Sequence, residues 1–208
     1  MNHHFSKLTL VTNKGDTLLD EYLVFIKECA QAGITCVQLR EKKQSRAGLF
    51  TLGKEIKRIL APFNIPLIVN DDPQLALALN ADGVHLGQTD GDVLSVRKLL
   101  GERKVIGLSI NTEEEMKLAN ALPVDYVGVG TIFPTRNKVN AQRVWGCDAL
   151  AQIRQNTSKT IIAIGGINES NINTVLHSGA DGIAAIGVFH ESSNPTLTIK
   201  QLLKIMNQ

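Results

Sequence analysis

Apolar runs of four to six residues alternate along the chain with longer stretches whose apolar positions recur at helical spacing. Leu8 to Thr12 predicts a first strand. Asp16 to Ala32 predicts a helix: Leu18, Leu19, Tyr22, Phe25, Ile26 and Cys29 recur at helical spacing, and Gly33 stops it. Ile34 to Leu39 predicts the second strand, and Ser45 can cap a helix reaching Leu60. Pro66 to Val69 predicts a third strand running into Asn70-Asp71, and Pro73 sits at the first turn of a short helix ending at Leu79. The fourth strand is expected over Gly83 to Leu86, with a helix from Asp92 to Leu100. The fifth is expected over Lys104 to Leu108, with a helix from Thr112 to Ala121 in which Thr112 and Glu115 fit a capping box. A sixth strand, Val124 to Gly130, feeds a long loop over 131–146 and then a helix from Asp148 to Gln155. A seventh, Thr160 to Ile164, precedes a helix from Asn168 to His177. The eighth, Gly182 to Ile186, precedes a last helix from Leu197 to Met206.

The strand–helix pairs follow one another with no composition break or linker, so residues 1–208 read as a single domain. Eight such pairs in this length predict an α/β fold, a (β/α)8 TIM barrel. Strands this apolar suit a parallel sheet covered by helices. A doubly wound open sheet is the other arrangement. It would want a GxGxxG after the first strand, and Asn13-Lys14-Gly15 is not one.

Composition narrows the function classes. The charge is nearly balanced, 22 basic against 20 acidic residues, and aromatics are only 4%. Neither fits a nucleic-acid binder. No apolar run approaches the roughly 20 residues of a membrane span. The first seven residues carry no apolar h-region. Cys29, Cys36 and Cys147 form neither a disulfide framework nor a zinc motif. A cytoplasmic, reducing location is the expectation.

Chemistry gathers where the strands end. Strand two ends in Arg40, Glu41 and Lys42, strand three in Asn70 and Asp71, strand four in Gln88 and Asp90, strand five in Ser109. Strand six feeds Thr135, Asn137 and Lys138; strands seven and eight end in Gly165-Gly166 and Ile186-Gly187. In a barrel all of these face one cavity. Asp71 and Asp90 suit a hard cation such as Mg2+, although each also precedes a helix that it could cap. Arg40, Lys42 and Lys138 would clamp a diphosphate, or pair with surface acids such as Glu41. The glycines after strands seven and eight let backbone N–H groups approach a phosphate, or serve as plain turns. His85, between Val84 and Leu86, reads as a packed histidine rather than a catalyst. Two anion sites follow: one with cations and a metal, one of neutral amides and hydroxyls.

Six segments, in order, carry a resemblance: Val-Gln-Leu-Arg-Glu-Lys (37–42), Ile-Val-Asn-Asp (68–71), Ala-Asp-Gly-Val-His-Leu-Gly-Gln-Thr-Asp (81–90), Asp-Tyr-Val-Gly-Val-Gly-Thr-Ile-Phe-Pro-Thr (125–135), Ala-Ile-Gly-Gly-Ile (163–167) and Gly-Ala-Asp-Gly-Ile (179–183). Together they resemble the thiamine-phosphate synthase family. The resemblance implies a transferase of thiamine biosynthesis that joins a hydroxymethylpyrimidine diphosphate to a thiazole phosphate and releases diphosphate. It implies that Gln38, Leu39, Arg40, Glu41, Lys42, Asn70, Ser109 and Lys138 contact the pyrimidine diphosphate, with Arg40, Lys42, Lys138 and Ser109 serving the chemistry. It implies Mg2+ on Asp71 and Asp90, and the thiazole phosphate on Thr135, Arg136, Asn137, Gly166, Ile186 and Gly187. A homodimer is implied as well.

The chain departs from the family pattern at Asn137 and Gly187, each lacking a hydroxyl, and at Ile110-Asn111. Two other readings stay open: a thiazole tautomerase-like isomerase of the same barrel, and a non-catalytic phosphate-ligand binding protein. The family's tautomerases use a histidine in the strand-six loop, and residues 131–146 contain none.

Overall fold

The computed structural model describes residues 6–136 and 143–208. Eight parallel strands close into a barrel, each paired with its neighbours in chain order and β8 with β1. They are β1 (Leu8–Val11), β2 (Cys36–Leu39), β3 (Leu67–Asn70), β4 (Gly83–Leu86), β5 (Val105–Ile110), β6 (Tyr126–Gly130), β7 (Thr160–Ile164) and β8 (Gly182–Ala185). The helices are α1 (Leu19–Ala32), α2 (Arg46–Leu60), α3 (Pro73–Ala78), α4 (Val93–Leu100), α5 (Glu113–Asn120), α6 (Gly146–Gln155), α7 (Ile172–His177), α8 (Gly187–His190) and α9 (Pro195–Met206). α8 is an addition to the pattern read from the sequence. One turn of four residues is too short to show a helical period.

The strands are less uniformly apolar than the sequence reading had it, and period-two alternation explains why. Residues facing the helices are large and apolar: Leu8 and Leu10, Val37 and Leu39, Val84 and Leu86, Val127 and Val129. Burying each is worth roughly 1.5–3 kcal/mol. Residues facing the axis form a second, smaller cluster, with Val11, Cys36, Ile68, Val105, Tyr126, Ile162 and Ala184. The same inward parity delivers Gln38, Asn70, His85 and Ser109 to the cavity.

Where the strands begin, one device repeats. Asp82, just before β4, accepts the Leu67 amide N–H of β3 at 2.9 Å. Asp125, before β6, accepts that of Ile106 at 2.7 Å, and Asp181, before β8, that of Ile161 at 2.7 Å. Arg97 and Arg154 then pair with Asp125 and Asp181 at 2.7 and 2.9 Å. Each staple ties two consecutive strand–helix units at the lower rim.

Candidate active site

A cavity of about 1180 Å³ opens at the ends of the strands. Of the segment 37–42, Gln38, Arg40 and Lys42 line it. Leu39 belongs to the core outside the strands, and the Glu41 carboxylate accepts the Lys14 amide N–H at 2.8 Å. The strand's alternation carried past its end accounts for the split, and it gives the Leu39 and Glu41 side chains structural contacts. Glu41 anchors the loop after β1. The Arg40 backbone is fixed too: its N–H donates to the Thr12 hydroxyl at 2.8 Å. Among the described residues neither Arg40 nor Lys42 forms an ion pair. Burial lowers the pKa of the Arg40 guanidinium, opposed by the charges of Asp71 and Glu41.

Asp71 and Asp90 stand opposite these cations. Neither caps the helix that follows. Asp72 caps α3, accepting the Leu75 N–H at 2.8 Å, and Asp92 caps α4, accepting the Ser95 N–H at 2.9 Å. Asp71 takes a left-handed backbone, φ 66°, which Asp tolerates better than most residues. The turn is held by the Asp71 N–H donating to the His85 carbonyl at 2.8 Å. The Asp90 carboxylate accepts the Gly87 N–H at 2.6 Å and hydrogen-bonds the Asp71 carboxyl. Asp71 keeps contact with solvent, yet its carboxyl is pushed up to about 6. Partial burial between the cavity walls is the largest cause, with the hydrogen bond and charge of Asp90 adding to it. A hard divalent cation is bound by carboxylate oxygens of this kind, one or two from the protein with the rest of its ligands supplied from outside. No group of three or more acids, histidines or cysteines suited to a metal occurs among the described residues.

The floor is a hydrogen-bonded relay that sequence reading saw only in part. His85 Nδ1 lies 2.8 Å from the Tyr126 hydroxyl and Nε2 lies 2.9 Å from the Ser109 hydroxyl. The two rings stack, with centroids 5.4 Å apart. Gln38 also hydrogen-bonds Tyr126, whose hydroxyl is held neutral by burial. Gly107 and Gly128 leave room for these rings: a Cβ would come within 2.1 Å of the Tyr126 ring at Gly107 and 2.8 Å of the His85 ring at Gly128. Tyr126 escaped the sequence reading because it begins its strand and looks like core. The signal that finds it is inward parity, shared with Gly128 and Gly130.

Across the cavity the lining combines glycine turns and hydroxyls with charges of both signs, Arg136 and the acids Glu169 and Glu191. Gly165 and Gly166 adopt φ 103° and 65°, so the turn after β7 requires glycine. A Cβ on Gly166 would strike the Pro134 carbonyl at 2.7 Å, and the Phe133 N–H donates to the Gly165 carbonyl at 3.0 Å. The loop after β6 thus docks on the turn after β7 and brings Thr135 and Arg136 to the cavity. Ile186 and Gly187 lie beside them at the start of α8. Asn137 and Lys138 lie outside the described residues. Of the residues read from the sequence, Gln38, Arg40, Lys42, Asn70, Asp71, Ser109, Thr135, Arg136, Gly166, Ile186 and Gly187 line one cavity together with His85, whereas Leu39, Glu41 and Asp90 do not line it.

Comparison with known proteins agrees with this geometry. A family model described as thiamine monophosphate synthase matches residues 8–189. The thiamine-phosphate synthase of Chlamydia abortus is 48% identical over 208 residues, covering 100% of this chain and 98% of that protein. That of Vibrio campbellii is 39% identical over 96% of this chain and 98% of its own length. Among solved structures, thiamine phosphate pyrophosphorylase from Pyrococcus furiosus superposes with a TM-score of 0.88 at 29% identity, covering 98% of this chain and 96% of that one. Orotidine 5'-phosphate decarboxylase from Pyrococcus horikoshii, at 14% identity and a TM-score of 0.71, shares the barrel alone. On full-length identity approaching one half, and a family model that spans all eight strands, the chain belongs to the thiamine monophosphate synthase family.

Proposed function

We propose that the cavity condenses 4-amino-2-methyl-5-(diphosphooxymethyl)pyrimidine with a thiazole phosphate, giving thiamine phosphate and diphosphate, with each wall holding one substrate. Family membership makes the chain an enzyme of thiamine biosynthesis. The observation that carries the finer reading is that Arg40 and Lys42, which form no ion pair among the described residues, line the cavity with Asp71, whose carboxyl hydrogen-bonds Asp90. A polyanion and a divalent cation balance that set. Around the glycine turns the lining offers amides, hydroxyls such as Thr135, Ser170 and Ser192, and one arginine, Arg136, beside Glu169 and Glu191, and suits a smaller anion.

In this reading the bond from the pyrimidine methylene to the diphosphate oxygen breaks first, and its electron pair leaves with the diphosphate. Arg40 and Lys42, joined by Lys138 from the loop after β6, stabilise that charge as it develops. The thiazole nitrogen then attacks the electron-poor methylene carbon and the new C–N bond forms. Asp71 and Asp90 would hold Mg2+, which would supply further neutralisation of the leaving group. Gln38, His85 and Tyr126 form a polar floor against which a flat heterocycle can be oriented, and no residue need move a proton in the bond-making step. The remainder is positioning of two reactants.

The test is direct. Purified protein given both substrates and Mg2+ is expected to release thiamine phosphate and diphosphate in equal amounts. No product, while an established synthase works alongside, would overturn the reading.

A further inference from the structure

His190 ends α8, does not line the cavity, and takes no part in the chemistry above. Its Nδ1 is 2.9 Å from the Ile186 carbonyl and its Nε2 is 3.0 Å from the Tyr22 hydroxyl. A carbonyl can only accept, so Nδ1 carries the ring proton. Nε2 of the neutral ring is then an acceptor, and the Tyr22 hydroxyl donates to it. The Tyr22 oxygen in turn accepts the Asn13 amide N–H at 3.1 Å and a hydrogen bond from the Thr12 side chain. Every proton along the chain has one consistent assignment.

The surroundings keep it that way. Burial lowers the His190 pKa, with the Ile186 carbonyl and the charges of Glu41 and Glu191 opposing. Burial also raises that of Tyr22, against its hydrogen bond from Asn13. Phe25 packs on both rings, with centroids 5.6 Å from Tyr22 and 4.9 Å from His190.

The consequence lies in one peptide plane. The Ile186 carbonyl and the Gly187 N–H belong to the same peptide, and in a trans peptide they point in opposite directions. The Ile186 carbonyl accepts the backbone N–H groups of Phe189 and His190 at 3.1 and 3.2 Å, and the His190 ring adds a third donor at 2.9 Å; with the carbonyl held there, the Gly187 N–H points the other way, and Gly187 lines the cavity. As the first residue of a helix, Gly187 has no intrahelical partner for that N–H. We propose that Tyr22 and His190 are a positioning pair that holds the Gly187 amide toward the anion bound at the glycine turns. They thereby set affinity for the thiazole phosphate without touching it. The proposal rests on the reading of that wall as the thiazole-phosphate half. Tyr22 also receives the Thr12 hydroxyl that accepts the Arg40 N–H, so His190, which has no such link to Arg40, is the member whose substitution separates the two halves.

The experiment is steady-state kinetics with each substrate varied in turn, on wild type, Tyr22→Phe, His190→Phe, His190→Asn and Gly187→Asp. KM does not scale with the fraction of folded enzyme, so partial misfolding cannot imitate the result. Tyr22→Phe is expected to raise KM for the thiazole phosphate about 5–10-fold, the worth of one hydrogen bond. His190→Phe should do more, and His190→Asn, whose amide can still donate to Ile186, should recover part of the loss. In His190→Phe, which leaves the Tyr22–Thr12 contact in place, KM for the pyrimidine diphosphate and kcat should stay within about two-fold. In that variant equal KM shifts for both substrates, a pure fall in kcat, or no shift would each overturn the proposal. Gly187→Asp separates the two layers by placing a carboxylate at the anion. If it too leaves the thiazole phosphate KM unchanged, the assignment of that wall is wrong. If it alone raises it, only the positioning pair is wrong.

Discussion

At the rim where the strands begin, Arg97 donates to the carbonyls of Gly101, Lys104 and Pro123 and to the carboxylate of Asp125. At the rim where they end, Arg40 has a fixed backbone and a guanidinium with no acid in ion-pair reach among the described residues. Both are half-buried or deeper, and both follow from the same strand–helix repeat. Their difference is in satisfaction. At the lower rim Arg97 is closed against partners that are always present. At the upper rim Arg40 and Lys42 line the cavity without an ion pair among the described residues, and the Asp71 carboxyl beside Asp90 is pushed up, arrangements that cost stability until an outside ion completes them. A barrel can be stiff at one end and unbalanced at the other because the strands between are rigid.

Substitutions can break this contrast in either direction. The largest effect should come from Arg40→Ala, with kcat/KM falling about 10²–10³-fold and the thermal midpoint unmoved or slightly raised. Loss of fold with loss of activity would erase the distinction. Next is Arg97→Ala, which strands three carbonyls and a carboxylate. A loss of about 2–3 kcal/mol, or roughly 4–12 °C in Tm, should appear in a melt, with KM for both substrates unchanged.

Asp71→Asn sharpens the comparison through pH. A carboxyl whose folded pKa is raised to about 6 binds its proton more tightly in the folded state. Its contribution to stability is therefore fully present below about pH 4 and is lost as pH rises through 6. The Asn variant should melt above wild type at pH 7–8, with the gain vanishing by pH 4, while Mg2+-dependent turnover falls steeply. A variant less stable than wild type at pH 8 would mean that the pair serves the fold. The smallest effect belongs to Lys42→Ala, at an exposed position. Stability should change by less than about 0.5 kcal/mol, and KM for the diphosphate substrate should rise several-fold, as kinetics at two ionic strengths would reveal.

The capping box of α5 shows how far local reasoning reaches. Thr112 accepts the Glu115 N–H at 3.1 Å, as the spacing predicts. Glu115, however, reaches back to the Asn111 N–H at 2.6 Å, one residue before the cap. Asp71 and Asp90 show the limit more sharply. Each has a neighbouring aspartate, Asp72 or Asp92, equally suited to the cap. Which member of such a pair caps and which faces the cavity depends on the backbone at the strand's end, and for Asp71 on a left-handed φ that propensity does not reveal.

The sequence by itself determined the eight-fold alternation, the closing of the sheet and the concentration of chemistry at one rim. Apolar period, glycine stops and caps are local signals, and a barrel repeats them eight times. Only the tertiary structure decided which side of each strand the chemistry occupies. It turned Leu39 and Glu41 away from the segment's other residues, and it joined His85 to Tyr126 across 41 positions of sequence. It also made a bridge from Tyr22 on the first helix to His190 near the end of the chain. These are contacts between inward-facing or loop residues of different units. Their partners become neighbours only when the barrel closes.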